Sequence, residues 1–153
     1  MSVLKTHREI SKAEYVNTAN QIYRKSLWFL SRLSARFSRL LAVDTARLAN
    51  EIVSNAEKAN TMLPTDLTRY TLRKEYLLQA KASLGALDIQ LTHIYELLML
   101  NPEGAFTNKD SSEAIQKLNK MADDLGNLLD LEQRLLAGVL KSDKRTFEKN
   151  NYV

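Results

Sequence analysis

Histidine and cysteine, which most often serve as metal ligands, nucleophiles or general bases, are nearly absent from this sequence. Cysteine is missing, and the two histidines are His7 and His93. The lack of cysteine excludes thiolate catalysis, cysteine-ligated zinc, iron–sulfur clusters and covalently attached haem. A di-iron site in a helical bundle needs two Glu-x-x-His pairs, but Gln90 stands three residues before His93. The sequence therefore predicts a protein that is not an enzyme and holds no cofactor or metal.

Two weaker catalytic patterns also fail. Helical ribonucleases that pair an Arg with a His four to six residues later have no counterpart here, because no Arg precedes His93 at that spacing. The acidic residues Asp123, Asp124, Asp130 and Glu132 are interpreted as a solvated helix face and not as a metal site.

Basic residues are concentrated in one stretch. Residues 24–47 hold six of them against a single acid, Asp44, a net charge of +5 that exceeds the +4 of the whole chain. Residues 113–132 carry −3. Arginine pairs bidentately with phosphate or carboxylate. The candidate nucleic-acid or polymerase-binding residues are Arg24, Lys25, Arg32, Arg36, Arg39 and Arg47, with a second strip of Arg69, Arg73, Lys74 and Lys81.

This charge distribution has three possible meanings. In the first, the basic face follows a phosphate backbone; in the second, it meets an acidic face on a neighbouring copy or a partner protein. The third interpretation is an ordinary solvated surface with scattered ion pairs. The residues alone leave all three open.

The elements that position these residues are predicted to be helices. Gly and Pro number only four and two in 153 residues, too few for the tight turns of a sandwich or barrel. Apolar residues recur every three or four positions in four segments. The expected fold is all-α, an antiparallel up-down-up-down four-helix bundle with turns near Ser34, Pro64 and Pro102.

The third segment has the clearest apolar stripe, and three segments have recognisable starts. Ser11 with Glu14 forms a capping-box pattern, Thr65 or Asp66 can cap the third helix, and residues 110–113 can cap the fourth. The expected division is a basic N-terminal arm at 1–10, the bundle at 11–141 and a polar, frayed tail at 142–153. The stripe of the third segment is Leu77, Ala80, Leu84, Leu87, Leu91, Ile94 and Leu98.

The order of these features resembles one family of four-helix bundles. A first helix and an Arg-rich turn lead to Leu48-Ala49-Asn50-Glu51-Ile52 and a Pro loop, and Arg73-Lys74-Glu75-Tyr76-Leu77 opens the next helix. This pattern, with Ser2-Val3-Leu4-Lys5 at the start, is similar to ribosomal-RNA intervening-sequence proteins and to the accessory variability determinant (Avd) of diversity-generating retroelements. The resemblance spans about residues 2 to 140.

The resemblance implies a non-catalytic partner of a retroelement reverse transcriptase. Such a protein is expected to form a homopentamer and to bind the polymerase and its template RNA or cDNA through a basic surface, for mutagenic cDNA synthesis. The alternative is a helical protein–protein adaptor without direct nucleic-acid binding. No apolar run approaches the ~20 residues of a membrane span, so a cytoplasmic protein without membrane contact is expected.

Aromatic and apolar residues outside the predicted stripes favour an oligomer. Trp28 and Phe29 are expected in a core or a subunit interface, whereas Tyr70 and Tyr76 flank basic residues where stacking on RNA bases is conceivable. One bundle buries one stripe per helix, so the remaining apolar side chains need a partner surface. They are Tyr15, Trp28, Phe29, Leu72, Leu78 and Ile89.

Overall fold

The computed structural model describes residues 13–101, 104–106 and 111–151, which form four α-helices. They are α1 (Glu14–Leu30), α2 (Ala35–Asn60), α3 (Leu67–Leu100) and α4 (Ser112–Asn151). These ranges contain no strand, only a single antiparallel bridge between Leu33 and Phe106. The prediction of an all-α fold with four helices is confirmed. Among the described residues, no helix has an apolar stretch long enough to cross a membrane.

The helices pack around one hydrophobic core. Each helix contacts two others, in the order α1–α2, α2–α3, α3–α4 and α4–α1. All seven residues of the stripe predicted for α3 are buried, because side chains three and four residues apart share one face of a helix. From α1, the core takes Tyr15 and Phe29. Their side chains are therefore buried within the chain itself and are not spare interface residues.

The connection between α1 and α2 and the connection between α3 and α4 meet at one end of the bundle. Ser34 is the N-cap of α2, as its predicted turn requires, and its amide donates to the carbonyl of Ala105 at 2.8 Å. Asn101 ends α3 in the left-handed conformation, with φ of 49°, and its side-chain oxygen accepts from the Phe106 amide at 2.6 Å. Pro102, the predicted turn residue, lies outside the described residues.

Two predicted helix starts are confirmed at the atomic level. The Asp66 carboxylate accepts a hydrogen bond from the Arg69 amide at 2.8 Å, which caps α3 after the Pro64 loop. The Ser111 hydroxyl accepts from the Ala114 amide at 3.2 Å at the start of α4. Both bonds satisfy amides that lack partners in the first helical turn.

The structure corrects two boundaries. α1 begins at Glu14 and its N-cap is Ala13, which has no side-chain oxygen, so the capping box predicted from Ser11 is wrong. Ser11 and the 1–10 arm lie outside the described residues. At the other end, α4 continues to Asn151 where a polar tail was expected from residue 142. Its last turns are held because Asp143 pairs with Arg73 and the Phe147 ring stacks on Tyr70.

Three polar contacts join neighbouring helices. Ser83 on α3 donates to Glu51 on α2 at 2.9 Å. The Tyr95 hydroxyl of α3 donates to Asn119 of α4 at 2.6 Å. Between α1 and α4, the Lys25 ammonium lies 3.8 Å from the Asp124 carboxylate. The last pair brings the basic end of α1 against the first half of α4.

Candidate nucleic-acid interface

A groove between α1 and the first half of α4 gathers three of the ten predicted binding residues. Its volume is about 530 Å³, within the range of small-ligand sites. We call it the α1–α4 groove. It is lined by Arg24, Lys25, Trp28, Arg32, Lys117, Lys120, Met121 and Asp124.

The groove carries a strong excess of positive charge. Its lining has five basic residues and one acid, Asp124. Asp124 forms an exposed ion pair with Lys25, with 3.8 Å between nitrogen and oxygen. Within the described ranges, Arg24, Lys117 and Lys120 have no ion-pair partner. Cations left without protein partners in a concave site attract anions.

Arg32 lies in the turn after α1 and its guanidinium is poorly satisfied. Its Nη2 donates to the Ser31 hydroxyl across 3.4 Å, which is at the outer limit of a hydrogen bond. Its Nε is buried and has no hydrogen-bond partner in the part of the chain that the structure describes. A buried donor without an acceptor is costly, and because this Nε is buried it is not itself open to a ligand in the groove.

Trp28 stands on the wall of the groove and is 67% exposed. Of the two places expected for Trp28, the core is excluded, because the neighbouring Phe29 takes the inward position and is 1% exposed, whereas a subunit interface stays a prediction. An exposed indole surrounded by cations is unusual for a side chain that proteins normally bury. It provides a flat aromatic surface beside the phosphate-binding candidates.

The basic residues of α2 lie on a separate surface. Arg36, Arg39 and Arg47 are exposed, and none of them lines the α1–α4 groove. Arg47 lies 3.4 Å from Asp44 in an exposed pair, and the Arg36 guanidinium lies 5.9 Å from the centre of the Phe37 ring. The turn at residues 31–34 therefore separates Arg32 from Arg36 and Arg39, which the sequence pattern would place on one face.

The second predicted basic strip does not form a continuous surface. Arg73 is largely buried, with its guanidinium bonded to the Asp143 carboxylate and to the Ala59 and Met62 carbonyls. Its predicted role in binding is therefore wrong, because it holds helices together. Arg69 lies 3.6 Å from Asp66 at the start of α3. Lys74 is exposed.

Lys81 and the two tyrosines also lie away from the groove. Lys81 is half-buried in an open depression beside Asp130 and Arg134. The Tyr70 ring is stacked on Phe147 with centroids 4.3 Å apart, so the chain itself covers one of its faces. Tyr76 has the Lys58 ammonium 5.7 Å from its ring centre. Neither tyrosine shares a site with Trp28.

The titratable residues of the described chain form no metal-binding cluster, but one of them, Glu132, is buried in the core. In residues 13–101, 104–106 and 111–151, no three His, Asp or Glu side chains are grouped to hold a metal ion. His93 is exposed on α3. Glu132 is fully buried in the core, and neither carboxylate oxygen has a hydrogen-bond partner among the described residues. Burial, with a smaller contribution from the Glu14 charge, raises the pKa of Glu132 to about 8.

Lys117 and Lys120 are the binding candidates that charge counting along the sequence missed. They lie in the stretch with net charge −3, which conceals them. Their spacing with Met121 and Asp124 is i, i+3, i+4 and i+7, the pattern of one helix face. Glu132, one of the acids that lowered the sum, is buried and adds nothing to the surface. Counting charge by helix face would have found the pair.

Comparisons of this chain with protein-family models, with curated proteins and with solved structures gave no match. The resemblance to the Avd and intervening-sequence bundles therefore stays a prediction. Interpretation of the site depends on its own geometry.

Proposed function

We propose that this protein is a non-catalytic, cytoplasmic accessory subunit of a retroelement reverse transcriptase, and that it binds template RNA or cDNA through the α1–α4 groove. The observation that carries the proposal is the cluster of Arg24, Arg32, Lys117 and Lys120 around the exposed Trp28. Nucleic-acid sites combine cations that follow the phosphates with aromatic rings that contact the bases. The exposed arginines of α2 provide a second surface, which we assign to the polymerase.

A protein–protein adaptor is the second candidate. On α2, the exposed apolar side chains Leu40 and Val43 lie among Arg36, Arg39 and Arg47. Apolar side chains within a charged rim are typical of protein interfaces. In this case the α2 surface binds an acidic partner and the α1–α4 groove binds no nucleic acid.

The proposed assembly is an up-down-up-down bundle that associates into a homopentamer. The antiparallel order is supported by contacts in which late residues of one helix meet early residues of the next, as for Ala59 with Arg73 and Tyr95 with Asn119. Association is supported by the exposed side chains of Leu78 and Ile89 on α3, together with Leu40 and Val43 on α2. Light scattering that gives a 17.5 kDa monomer at micromolar concentration would contradict the assembly.

The experiment that separates the two functions is charge reversal on α4. We expect the double variant Lys117→Glu/Lys120→Glu to lose RNA retention on a filter while its circular dichroism and its oligomeric state stay unchanged. The matched control is Lys144→Glu/Arg145→Glu, which makes the same charge change on exposed residues of the same helix. The control is expected to retain RNA, because it lies about 40 Å further along α4 at 1.5 Å per residue.

Salt dependence provides a second measurement. If phosphates are bound, log affinity falls linearly with log salt, and each lost contact to a single strand reduces the slope by ~0.7. The neutral double variant Lys117→Ala/Lys120→Ala removes two contacts without adding repulsion, so it is expected to keep weaker but measurable binding with a slope smaller by about 1.4 than that of the parent protein. Equal loss of RNA in the charge-reversal variant and its control would show a nonspecific charge effect and would contradict the groove as the binding site.

A further inference from the structure

We infer that the α1–α4 groove recognises an unpaired nucleotide of a single strand, with its base stacked on the Trp28 indole and its neighbouring phosphates bound by the surrounding cations. This inference rests on the proposed function, since it specifies the ligand of the same groove. It adds a preference for single-stranded over duplex nucleic acid and gives Trp28 a direct role in binding.

The first argument is the environment of the indole. Trp28 is two-thirds exposed, and Met121 of the facing helix lines the same groove. The groove therefore has apolar surface from both α1 and α4, and both of these elements also contribute cations to its lining. Every nucleobase has an aromatic face that stacks on such a ring without regard to sequence. A phosphate-only site, such as one for a duplex backbone, has no use for an exposed indole.

The second argument is the placement of the cations. Arg24 and Arg32 come from α1 and the turn that follows it, whereas Lys117 and Lys120 come from α4. A strand that crosses the groove therefore meets a positive charge before and after the base on Trp28. Arg32 lines the groove, and the planar fork of a guanidinium suits the fixed geometry of a phosphate.

The third argument is the volume of the groove. About 530 Å³ accommodates a nucleotide-sized ligand, but a base pair stacked within a duplex has both faces covered by its neighbours. Trp28 can contact a base only where the base is unpaired or splayed out of its helix. An acidic helix of a partner protein would satisfy the cations but would leave the indole without an aromatic ligand.

The experiment uses the intrinsic fluorescence of the full-length chain. Trp28 is the only tryptophan, so its emission reports the groove directly. We expect a single-stranded oligoribonucleotide of about 12 nucleotides, within the site sizes of such proteins, to quench the emission in a saturable manner. A blunt duplex of the same sequence is expected to bind more weakly and to leave the emission nearly unchanged.

Variants of Trp28 supply the affinity measurement, made by filter retention. Trp28→Leu is expected to weaken binding of the single strand about 10-fold, whereas Trp28→Phe keeps most of the affinity because its ring still stacks. The side chain is exposed, so both variants are expected to fold, as circular dichroism will show. Comparable losses in the Leu and Phe variants would overturn the stacking role.

Two further outcomes separate this inference from the proposed function. If Lys117→Glu/Lys120→Glu loses RNA but Trp28→Leu binds normally, the stacking inference is overturned and the proposed function stands. If the parent protein retains no RNA at all, both fall. Poly-L-glutamate serves as a polyanion without bases, and quenching of Trp28 by it as strong as that by the oligoribonucleotide would also overturn the inference.

Discussion

The Arg73 guanidinium on α3 lies 2.6 Å from the Asp143 carboxylate on α4, and both side chains are nearly buried, at 12% and 14% exposure. The same guanidinium donates to the carbonyl of Ala59 at 2.8 Å and to that of Met62 at 3.3 Å, at the end of α2. One side chain thus links three helices. It also ties the start of α3 to the chain just before and after the end of α2.

Removal of either partner of this ion pair is expected to destabilise the protein strongly. Arg73→Met or Asp143→Ala leaves a buried charge uncompensated, and the expected loss is about 3–5 kcal/mol in the free energy of unfolding. Urea denaturation followed by circular dichroism measures it. The control is Lys25→Met, which breaks the exposed pair with Asp124 and is expected to change stability by less than ~1 kcal/mol. Equal losses at the two sites would contradict the structural role of Arg73.

The periodicity of the sequence predicted which residues of the helices are buried, but it did not predict the roles of the charged residues. The α3 stripe from Leu77 to Leu98 is buried as predicted, because residues spaced three and four apart lie on the same face of an α-helix. The function of Arg73 depends on Asp143, 70 residues away, and no local pattern records such a pair. The sequence also left open whether Trp28 lies in the core or in a subunit interface, and only the structure shows that Phe29 takes the inward position while Trp28 is exposed on the single chain.

The last turns of α4 are expected to contribute to stability through Phe147. Its ring is parallel to that of Tyr70, with an interplanar angle of 1° and centroids 4.3 Å apart. Phe147→Ala removes this stacked pair and its apolar contact, and a loss of about 1–2 kcal/mol is expected. Thermal unfolding measures it. Phe147→Tyr keeps the ring and is the control. An unfolding temperature that is unchanged in both variants would indicate that the end of α4 is frayed, as the sequence predicted.

Two helical glycines are expected to be sites of stabilisation. Gly85 on α3 and Gly138 on α4 are exposed, and a methyl group added at either one has no atom within 4 Å. Replacement by Ala therefore introduces no clash and reduces the entropy of the unfolded chain, with a gain of about 0.5–1 kcal/mol for each variant. Chemical denaturation tests the gain.

The contrasting variant is Gly104→Ala. Gly104 has a φ of 77°, a left-handed conformation that is strained for residues with a side chain. The same substitution is therefore expected to destabilise the protein by about 1 kcal/mol. A stabilised Gly104→Ala would contradict the conformation of the connection between α3 and α4.

Glu132 is expected to make the stability of the protein depend on pH. It is fully buried, its oxygens have no hydrogen-bond partner in the part of the chain that the structure describes, and burial together with the Glu14 charge raises its pKa from 4.5 to about 8. Between these two values the folded state holds a proton that the unfolded state has released. Stability contributed by this group is therefore complete below pH 4.5 and is lost progressively as the pH rises through 8.

Glu132→Gln tests this dependence because the amide is similar in size and does not ionise. We expect the variant to resemble the parent protein near pH 4.5, the lower pKa, and to become more stable by several kcal/mol near pH 8. Urea denaturation at a series of pH values measures the difference between the two proteins, which removes the effect of other titrating groups. Glu113→Gln changes an exposed carboxylate of the same helix, so its curve is expected to run parallel to that of the parent. A constant offset between Glu132→Gln and the parent across this range would show that Glu132 is not protonated in the folded core.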